Sequence, residues 1–427
     1  MNIKKILVSA VASSLLFGVM ATPAFADSFS VNFESPYTLG NINGQFGWMK
    51  TGTYDVAVVS NTFGFTTFGS QSLRISDAIT SGSFGDQTFS KSLTDEAGET
   101  DALNGGLSGG VRKSHFEAQF DITSTQVAQQ PGMHLSISPD RGDGARMSYL
   151  RFEDGTNGIN VIFDDVQGTT NPANFVETQI ATDLSRAIPH TVKFVMDFLD
   201  GPSNDVVKIY IDNNLVHTGT SWENYYRFDS ESNPSLISNS RTVDSLLFRE
   251  SGTATVGDSG KGFLIDNFTI SSLTPVAPSV PVITIPANGS TVTTASLVKV
   301  DWSDSTGGSF PPFEYQYQAF SDAEYTNNLY TSGWLTNSEI PTPGTPVGTY
   351  YVRVKARDAQ GTETVWSNGS TSPYRINVVN APVLIGPPTL MSQCKDNGWK
   401  VFSSPVFKNQ GECVSYIQSN DHAGKRN

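Results

Sequence analysis

The apolar residues of this chain alternate with polar ones in short runs, and this period of two is the feature that most restricts its fold. Runs such as HFEAQFDI (115–122), INVIFDD (159–165) and HTVKFVMDF (190–198) put every second side chain on one face, as in a half-buried strand. Gly, Asn, Asp and Ser separate the runs and supply turns. The sequence therefore predicts an all-β protein.

The N-terminus has the pattern of a secretory signal. Lys4 and Lys5 precede an apolar run that is too short for a usual membrane span, and Ala24-Phe25-Ala26 follows as a cleavage site. We therefore expect residues 1–26 to be removed and the protein to be secreted or held at the cell surface. No later apolar run is long enough to predict membrane insertion after cleavage.

The charge of the chain restricts its partners. It has 27 Lys and Arg against 41 Asp and Glu, a net charge of −14, and loss of Lys4 and Lys5 makes this about −16. Such a surface repels the phosphates of nucleic acids and anionic lipids. We expect no nucleic-acid partner.

The strand pattern divides into domains at Pro-rich segments. Strand-like runs over residues 27–273 exceed one immunoglobulin unit and suit a two-sheet jelly roll. Residues 274–286 read as a stiff linker, and 287–379 contain seven or so further short runs at sandwich spacing. A second linker, 380–390, leads into a small C-terminal module, 391–419.

The C-terminal module is too small for a substantial core of its own. Cys394 and Cys413 are the only cysteines, and in an exported protein they are expected to form a disulfide that stabilises the module by ~3 kcal/mol. Asn409 is placed to cap a short helix on which Cys413, Val414 and Ile417 share a face.

Several motifs resemble known families. FSVNFES, GSQSLRIS, the DVVKIYIDNNLVHTG hairpin and GFLIDNFTIS resemble a bacterial concanavalin A-like, or laminin G-like, jelly-roll domain over residues 27–273. Residues 279–378, with WSDS and GTYYVRVKARDAQG, are similar to fibronectin type III or Ig-like modules, which implies that Trp302 is the core tryptophan and Tyr350 a corner or core tyrosine. The tail resembles a short two-cysteine module of exported bacterial proteins.

The jelly-roll class includes glucanases, so a carboxylate pair is the first test for catalysis. Glucanases of this fold carry a Glu-x-Asp-x-x-Glu strand motif, which the sequence lacks. Glu117 and Asp121 lie on one face of a run but would stand ~13 Å apart, whereas glycosidase pairs need ~5 to 9.5 Å. Glu153, Asp164 and Asp165 are read as solvated strand ends. We therefore expect no catalytic residues.

The resemblance also implies a possible structural calcium ion at a sandwich edge. Ca²⁺ takes six to eight hard oxygen ligands, and no contiguous Asp-x-Asn-x-Asp loop is present. The candidate ligands are Asp140, Asp143, Asp164, Asp165, Asp200 and Asp266.

One stretch, HTGTSWENYYRFDSE (217–231), concentrates aromatic residues. Its rings either stack on sugar faces or fill the open end of a sandwich, and the spacing of Trp222, Tyr225 and Tyr226 suits one helical turn with some rings inward and some outward. Trp48 faces the same choice, and its flanking glycines favour exposure. These four residues are the candidate ligand-binding residues.

Together these features predict a secreted, non-catalytic protein that binds carbohydrate or another cell-envelope polymer. Two alternatives stay open at this point: a glycan-active hydrolase or lyase of the same fold, and a structural adhesion module that binds another surface protein. The predicted partner is a polysaccharide or envelope polymer in the first two cases and a protein in the third.

Overall fold

A computed structural model describes residues 26–100, 102, 108–167, 174–228, 241–250, 254–367, 373–381 and 386–423. The predicted signal segment, 1–26, therefore lies outside the described residues except for Ala26. The chain divides into two compact units, Ala24–Pro275 and Val276–Asn427.

The first unit is built from seventeen strands and one short α-helix. The strands are β1 (Asp27–Val31), β2 (Met49–Lys50), β3 (Asp55–Ser60), β4 (Gln71–Ser76), β5 (Gln87–Phe89), β6 (Ala97–Gly98), β7 (His115–Ser124), β8 (His134–Asp140), β9 (Tyr149–Asp154), β10 (Ile159–Val166), β11 (Phe175–Leu184), β12 (His190–Asp197), β13 (Val206–Ile211), β14 (Asn214–Gly219), β15 (Thr242–Val243), β16 (Ser245–Glu250) and β17 (Phe263–Leu273). The helix is α1 (Glu223–Phe228), and 3₁₀ turns occur at Thr66–Phe68 and Val256–Asp258.

Two large antiparallel sheets form the first unit. The eight-stranded sheet has the order β14-β13-β12-β7-β17-β4-β3 with β1 on β17, and the seven-stranded sheet has the order β11-β10-β9-β8-β16-β5-β2. The chain passes between the two sheets repeatedly, for example after β7, β11 and β16, as in a jelly roll. A small pair, β15 with β6, completes the strands.

The period-two pattern decides which side chains enter the core between the sheets. Phe116, Ala118 and Phe120 of β7 are fully buried, and Phe120 meets Phe152 of the opposite sheet with ring centroids 6.2 Å apart. The hairpin between β13 and β14 turns at Asp212 and Asn213, which both have positive φ. The predicted hairpin is thus present, with its turn one residue earlier than an Asn-Asn turn.

The second unit is a smaller β-sandwich. Its strands are β18 (Ile283–Ile285), β19 (Thr291–Thr293), β20 (Lys299–Trp302), β21 (Glu314–Phe320), β22 (Asn328–Thr331), β23 (Glu339–Pro341), β24 (Gly348–Arg357) and β25 (Tyr374–Val379). They form a five-stranded sheet, β19-β25-β24-β21-β22, and a three-stranded sheet, β18-β20-β23. Trp302 is buried and stacks on Tyr317 at 6.1 Å. The Tyr350 hydroxyl donates to the Pro346 carbonyl at 2.9 Å.

The C-terminal segment contains 3₁₀ turns at Met391–Cys394 and Gly398–Val401 and helix α2 (Gln410–Ala423). Asn409 caps this helix, since its Oδ1 accepts the Glu412 amide at 2.9 Å. Cys394 and Cys413 are joined by a disulfide and are buried with Phe402, Phe407 and Ile417. The predicted fold class is confirmed: all-β, a large and a small sandwich, and a disulfide-linked tail with a short helix. No described helix is long and apolar enough to cross a membrane.

Reduction of the disulfide is expected to unfold this segment selectively. The bond joins residues 19 positions apart, and losing a loop closure of that size lowers the free energy of unfolding by ~3 kcal/mol. Hydrogen exchange should then show amides of α2 exchanging faster by about two orders of magnitude in reductant, with β7 unchanged. Equal exchange in α2 before and after reduction would contradict this.

Candidate functional site

The outer face of the seven-stranded sheet collects polar and aromatic side chains that point away from the core. The strand register sets them in two adjacent rows. The first row contains Gln87, Arg249, Ser136, Arg151 and Ile162, and the second contains Phe89, Leu247, Ser138, Tyr149, Asp164 and Glu177. We name this surface the outer cleft, together with the rings that flank it, Phe84, Phe175 and Trp222. The outer cleft also includes Arg146, whose guanidinium carbon lies 4.5 Å from the centre of the Phe84 ring and 6.0 Å from those of Tyr149 and Trp222.

Aromatic rings stand along the β9–β10 side of the outer cleft. Trp222 stacks on Tyr149 with centroids 6.2 Å apart and planes 23° apart, and the edge of Phe175 meets Trp222 at 4.9 Å. The Trp222 indole N–H donates to the Asp164 carbonyl at 2.8 Å, which fixes the ring on β10. Trp222 and Tyr149 are both half-buried, so part of this stack is open to solvent.

The rings of the aromatic stretch are divided between the core and the outer face. Tyr226 is buried on α1, and its hydroxyl donates to the Arg146 carbonyl at 3.0 Å. It therefore plugs the sandwich rather than facing a ligand, and its candidacy as a ligand-binding residue is wrong. Trp222 and Tyr225 are half-buried against the same core and keep an outward part.

Trp48 occupies the core, and the expectation that it is exposed is wrong. Its side chain is fully buried and packs against Phe33, Phe248 and Phe268 at centroid distances of 5.4, 5.8 and 5.7 Å. Gly47, one of the flanking glycines, has φ of +92°. It serves a tight turn that drives the indole inward.

Several polar atoms at the outer cleft are buried without a hydrogen-bond partner. They are the Ser138 hydroxyl, Oδ1 of Asp164, Nη2 of Arg146 and Nε of Arg249. Ser136 by contrast donates to the Tyr149 hydroxyl at 2.6 Å. Because nearly all buried polar groups in native proteins are paired, unpaired ones clustered beside an aromatic stack indicate a place for a ligand.

Two carboxyl groups of the outer cleft lie opposite each other with different proton affinities. Asp164 faces Glu177 across β10 and β11. Burial, followed by repulsion from Glu177, raises the pKa of Asp164 to about 6. The hydrogen bond from Arg151 lowers the pKa of Glu177, and both carboxylate oxygens of Glu177 accept from that guanidinium at 2.6 and 3.1 Å. The sequence did not single out Glu177.

The proposed calcium ligands on β8 and β10 point in different directions. Asp140 is buried, and its Oδ1 accepts the amides of Gly142 and Gly144 at 2.6 and 3.1 Å, closing the turn after β8. Asp164 lies on the outer face. The neighbouring Asp165 is buried, and its Oδ2 accepts the Thr220 amide at 3.3 Å.

The other three candidates are equally scattered. Asp143 pairs with Arg141, and Asp200 accepts the Thr100 amide at 2.6 Å. Asp266 is buried on β17, where burial raises its pKa to about 8. In the described part of the chain none of the six belongs to a group of three or more ligand atoms in reach of one ion.

The one such group among the described residues consists of Glu99, Asp205 and Glu223. Arg227 and Arg241 already pair with Glu99, the latter at 3.0 Å. Glu223 accepts two backbone amides at 2.7 and 3.0 Å. Two cations thus pair with Glu99, backbone amides satisfy Glu223, and burial, followed by repulsion from Glu223, raises the pKa of Asp205 to about 7. We interpret the group as a buried ion-pair network that anchors α1.

Buried acids give the first unit a specific pH dependence. Burial raises the pKa of Asp77, Asp140 and Asp164 to about 6, of Asp205, Asp244 and Glu250 to about 7, and of Asp266 to about 8. In the unfolded chain these carboxyls titrate near pH 4. The folded state therefore binds more protons than the unfolded state over this range. The free energy of unfolding consequently falls as pH rises from about 4 through 8.

Calorimetry of the full chain should consequently show a lower melting temperature for the first unit at pH 8.5 than at pH 5.5, by roughly 5 °C or more. The transition of this unit can be assigned with a destabilising change inside it, such as Glu99→Gln. An unchanged or higher melting temperature at pH 8.5 would show that these carboxyls are not held protonated.

No protein-family model matches the sequence, and no curated protein matches it. Among solved structures, it is similar to an endo-β-1,4-glucuronan lyase from the fungus Trichoderma reesei (13% identity, 59% of this chain and 96% of that one, TM-score 0.32). It is also similar to arcelin-5, a lectin-like defense protein from Phaseolus vulgaris (12% identity, 58% of this chain and 98% of that one, TM-score 0.31). A third is an alginate lyase from Pseudomonas aeruginosa (8% identity, 48% of this chain and 83% of that one, TM-score 0.28). Similarity at this level transfers neither a substrate nor a residue's role.

Proposed function

We propose that the first unit binds a polysaccharide in the outer cleft and that the protein works as a secreted or surface-held binding protein. One observation carries this proposal: a half-exposed Trp222–Tyr149 stack lies beside buried hydrogen-bonding atoms that have no partner. Sugar rings have apolar faces that stack on aromatic rings, and their hydroxyls pair with such donors and acceptors.

Two substitutions of Trp222 in the full chain distinguish the contribution of ring stacking from that of hydrogen bonding. A glycan array identifies a bound oligosaccharide, and calorimetry measures its affinity. Trp222→Ala should weaken binding about tenfold or more, the equivalent of about 1.4 kcal/mol. Trp222→Phe keeps an aromatic face and loses the N–H, so it should retain most of the affinity. Full affinity of the Trp222→Ala protein, or no glycan bound by the unchanged protein, would contradict the proposal.

A second function, glycan hydrolysis, is favoured by the Asp164–Glu177 pair. Two carboxyls with separated pKa values are what general acid–base catalysis of glycoside cleavage needs. We place binding first because Arg151 occupies both oxygens of Glu177. Incubating the bound glycan with the protein and measuring reducing ends decides between them. Release of sugar that Asp164→Asn abolishes would establish the enzyme, and no release is expected.

A further inference from the structure

Two arginines in the outer cleft lack the ionic partner that the other arginines of the first unit have. Pairs join Arg74 to Asp55, Arg112 to Glu96, Arg141 to Asp143, Arg151 to Glu153 and Glu177, Arg186 to Asp154, and Arg227 and Arg241 to Glu99. Within the described chain Arg146 and Arg249 form no such pair. Arg146 is only 3% exposed.

The unpaired state of these guanidinium groups is costly. Nη2 of Arg146 and Nε of Arg249 are buried without a hydrogen-bond acceptor. Burial lowers the pKa of Arg146; the charge of Asp140 opposes this shift, and the charge of Arg249 adds to it. Arg146 is buried and Arg249 is partly buried. Two neighbouring like charges with unpaired donors are stabilised by an anion that enters between them.

A single aromatic ring covers both groups. The guanidinium carbons of Arg146 and Arg249 lie 4.5 and 4.6 Å from the centre of the Phe84 ring. Phe84 is 61% exposed, so most of its ring faces solvent and the two guanidinium groups lie against the rest. It sits in a short loop that is closed by Asp86, whose carboxylate accepts from Thr80 and Ser81 at 2.7 Å. These hydrogen bonds hold the loop without the Phe84 ring.

The acidic groups that act on these two guanidinium groups do not form ion pairs with them. The charges of Asp140 and Asp164 interact with Arg146, and the charge of Arg249 interacts with Glu250. Asp140 accepts two amides of its own turn through Oδ1. The planar, forked guanidinium favours bidentate pairing with a carboxylate. Because the whole chain has a net charge of −14, an acidic polymer is repelled at long range, and attraction has to come from this local pair inside a Debye length of ~8 Å.

We propose that the outer cleft selects an acidic polysaccharide, with the carboxylate of a uronic acid residue bound by Arg146 and Arg249 in place of the Phe84 ring. This inference rests on the proposed function and adds the class of sugar. Trp222 and Tyr149 then stack on the sugar ring or its neighbour, and the free hydroxyl of Ser138 is available to a sugar oxygen.

The test uses the full chain and two forms of one polymer. Calorimetry compares an oligomer of polyglucuronate with the same oligomer after reduction of its carboxyls to alcohols, which leaves backbone and length unchanged. We expect the acidic form to bind at least tenfold more tightly. Equal affinity for both forms would overturn this inference and leave the proposed function standing, whereas failure to bind any glycan would remove the proposed function itself.

Three variants test whether the preference for the acidic oligomer arises from Arg146 and Arg249. Arg146→Gln and Arg249→Gln should each lower the affinity for the acidic oligomer about tenfold or more and leave the reduced oligomer unaffected. Lys208→Gln, on the outer face of the other sheet, changes the net charge equally and should change neither. Loss of selectivity in the Lys208→Gln protein, or its retention in both arginine variants, would contradict the assignment.

Phe84→Ala supplies an independent readout. It removes the cover without removing a charge, so the acidic oligomer should bind at least as tightly as before and faster. A tenfold loss of affinity would instead make Phe84 part of the binding surface and overturn its assignment as a cover.

A neutral polymer that carries sulfate groups distinguishes the kind of anion, because the forked guanidinium favours carboxylate. If the sulfated polymer bound as tightly as the acidic oligomer, or more tightly, a uronate site would be contradicted.

Discussion

Trp48→Ala is expected to lower the free energy of unfolding of the first unit by about 3–5 kcal/mol. The indole is fully buried and is surrounded by Phe33, Phe248 and Phe268, so its removal leaves a cavity that rigid neighbouring strands cannot fill. Urea unfolding followed by circular dichroism measures the change.

Met49→Ala is the matched control for Trp48→Ala. Met49 is the next residue in the chain and is 49% exposed, so its truncation should change stability by less than about 1 kcal/mol. If Trp48→Ala were as mild as Met49→Ala, the core position of Trp48 would be wrong and its ring would again be a candidate for ligand contact.

Glu99→Gln is expected to be similarly severe, at about 3–5 kcal/mol, because it removes the shared partner of two buried cations. Arg227 and Arg241 both pair with Glu99, whose side chain is fully buried. Burial and the neighbouring Arg241 lower the pKa of Arg227 to about 10. The free energy of unfolding at neutral pH is the quantity to measure.

Glu177→Gln removes one acid from an exposed pair and controls for the loss of charge. The Glu177 side chain is 54% exposed, and pairs of this kind contribute less than about 1 kcal/mol. A mild effect of Glu99→Gln would contradict the interpretation of the Glu99, Asp205 and Glu223 group as a buried ion-pair network.

The architecture followed from the sequence because period-two patterning acts locally. The alternating apolar residues of β7, β10 and β12 are buried, and so are Val352, Val354 and Ala356 of β24. Strand β11 was not predicted. Its sequence, FVETQIATDL, lies at a sheet edge, and none of its side chains is buried. The apolar face that marks an inner strand is therefore absent.

The candidate site could be predicted only in part. The WENYY stretch pointed to Trp222, but Trp48 and Tyr226 belong to the core, and flanking glycines do not tell a surface loop from a turn that drives a ring inward. Phe84, Arg146 and Arg249 come from three distant parts of the chain and meet only through the sheet register. No local pattern marks an arginine that lacks a partner, because pairing is decided by the whole fold.

The most direct measurement compares two tyrosines on the opposite outer faces of the same unit. Tyr149 lies in the outer cleft, and Tyr210 lies half-buried on the eight-stranded sheet beneath Lys193. In the full chain, Tyr149→Ala should weaken glycan binding about tenfold or more, while Tyr210→Ala should leave it unchanged. Equal affinities of the two variants, or a loss confined to Tyr210→Ala, would contradict the assignment of the outer cleft as the binding site.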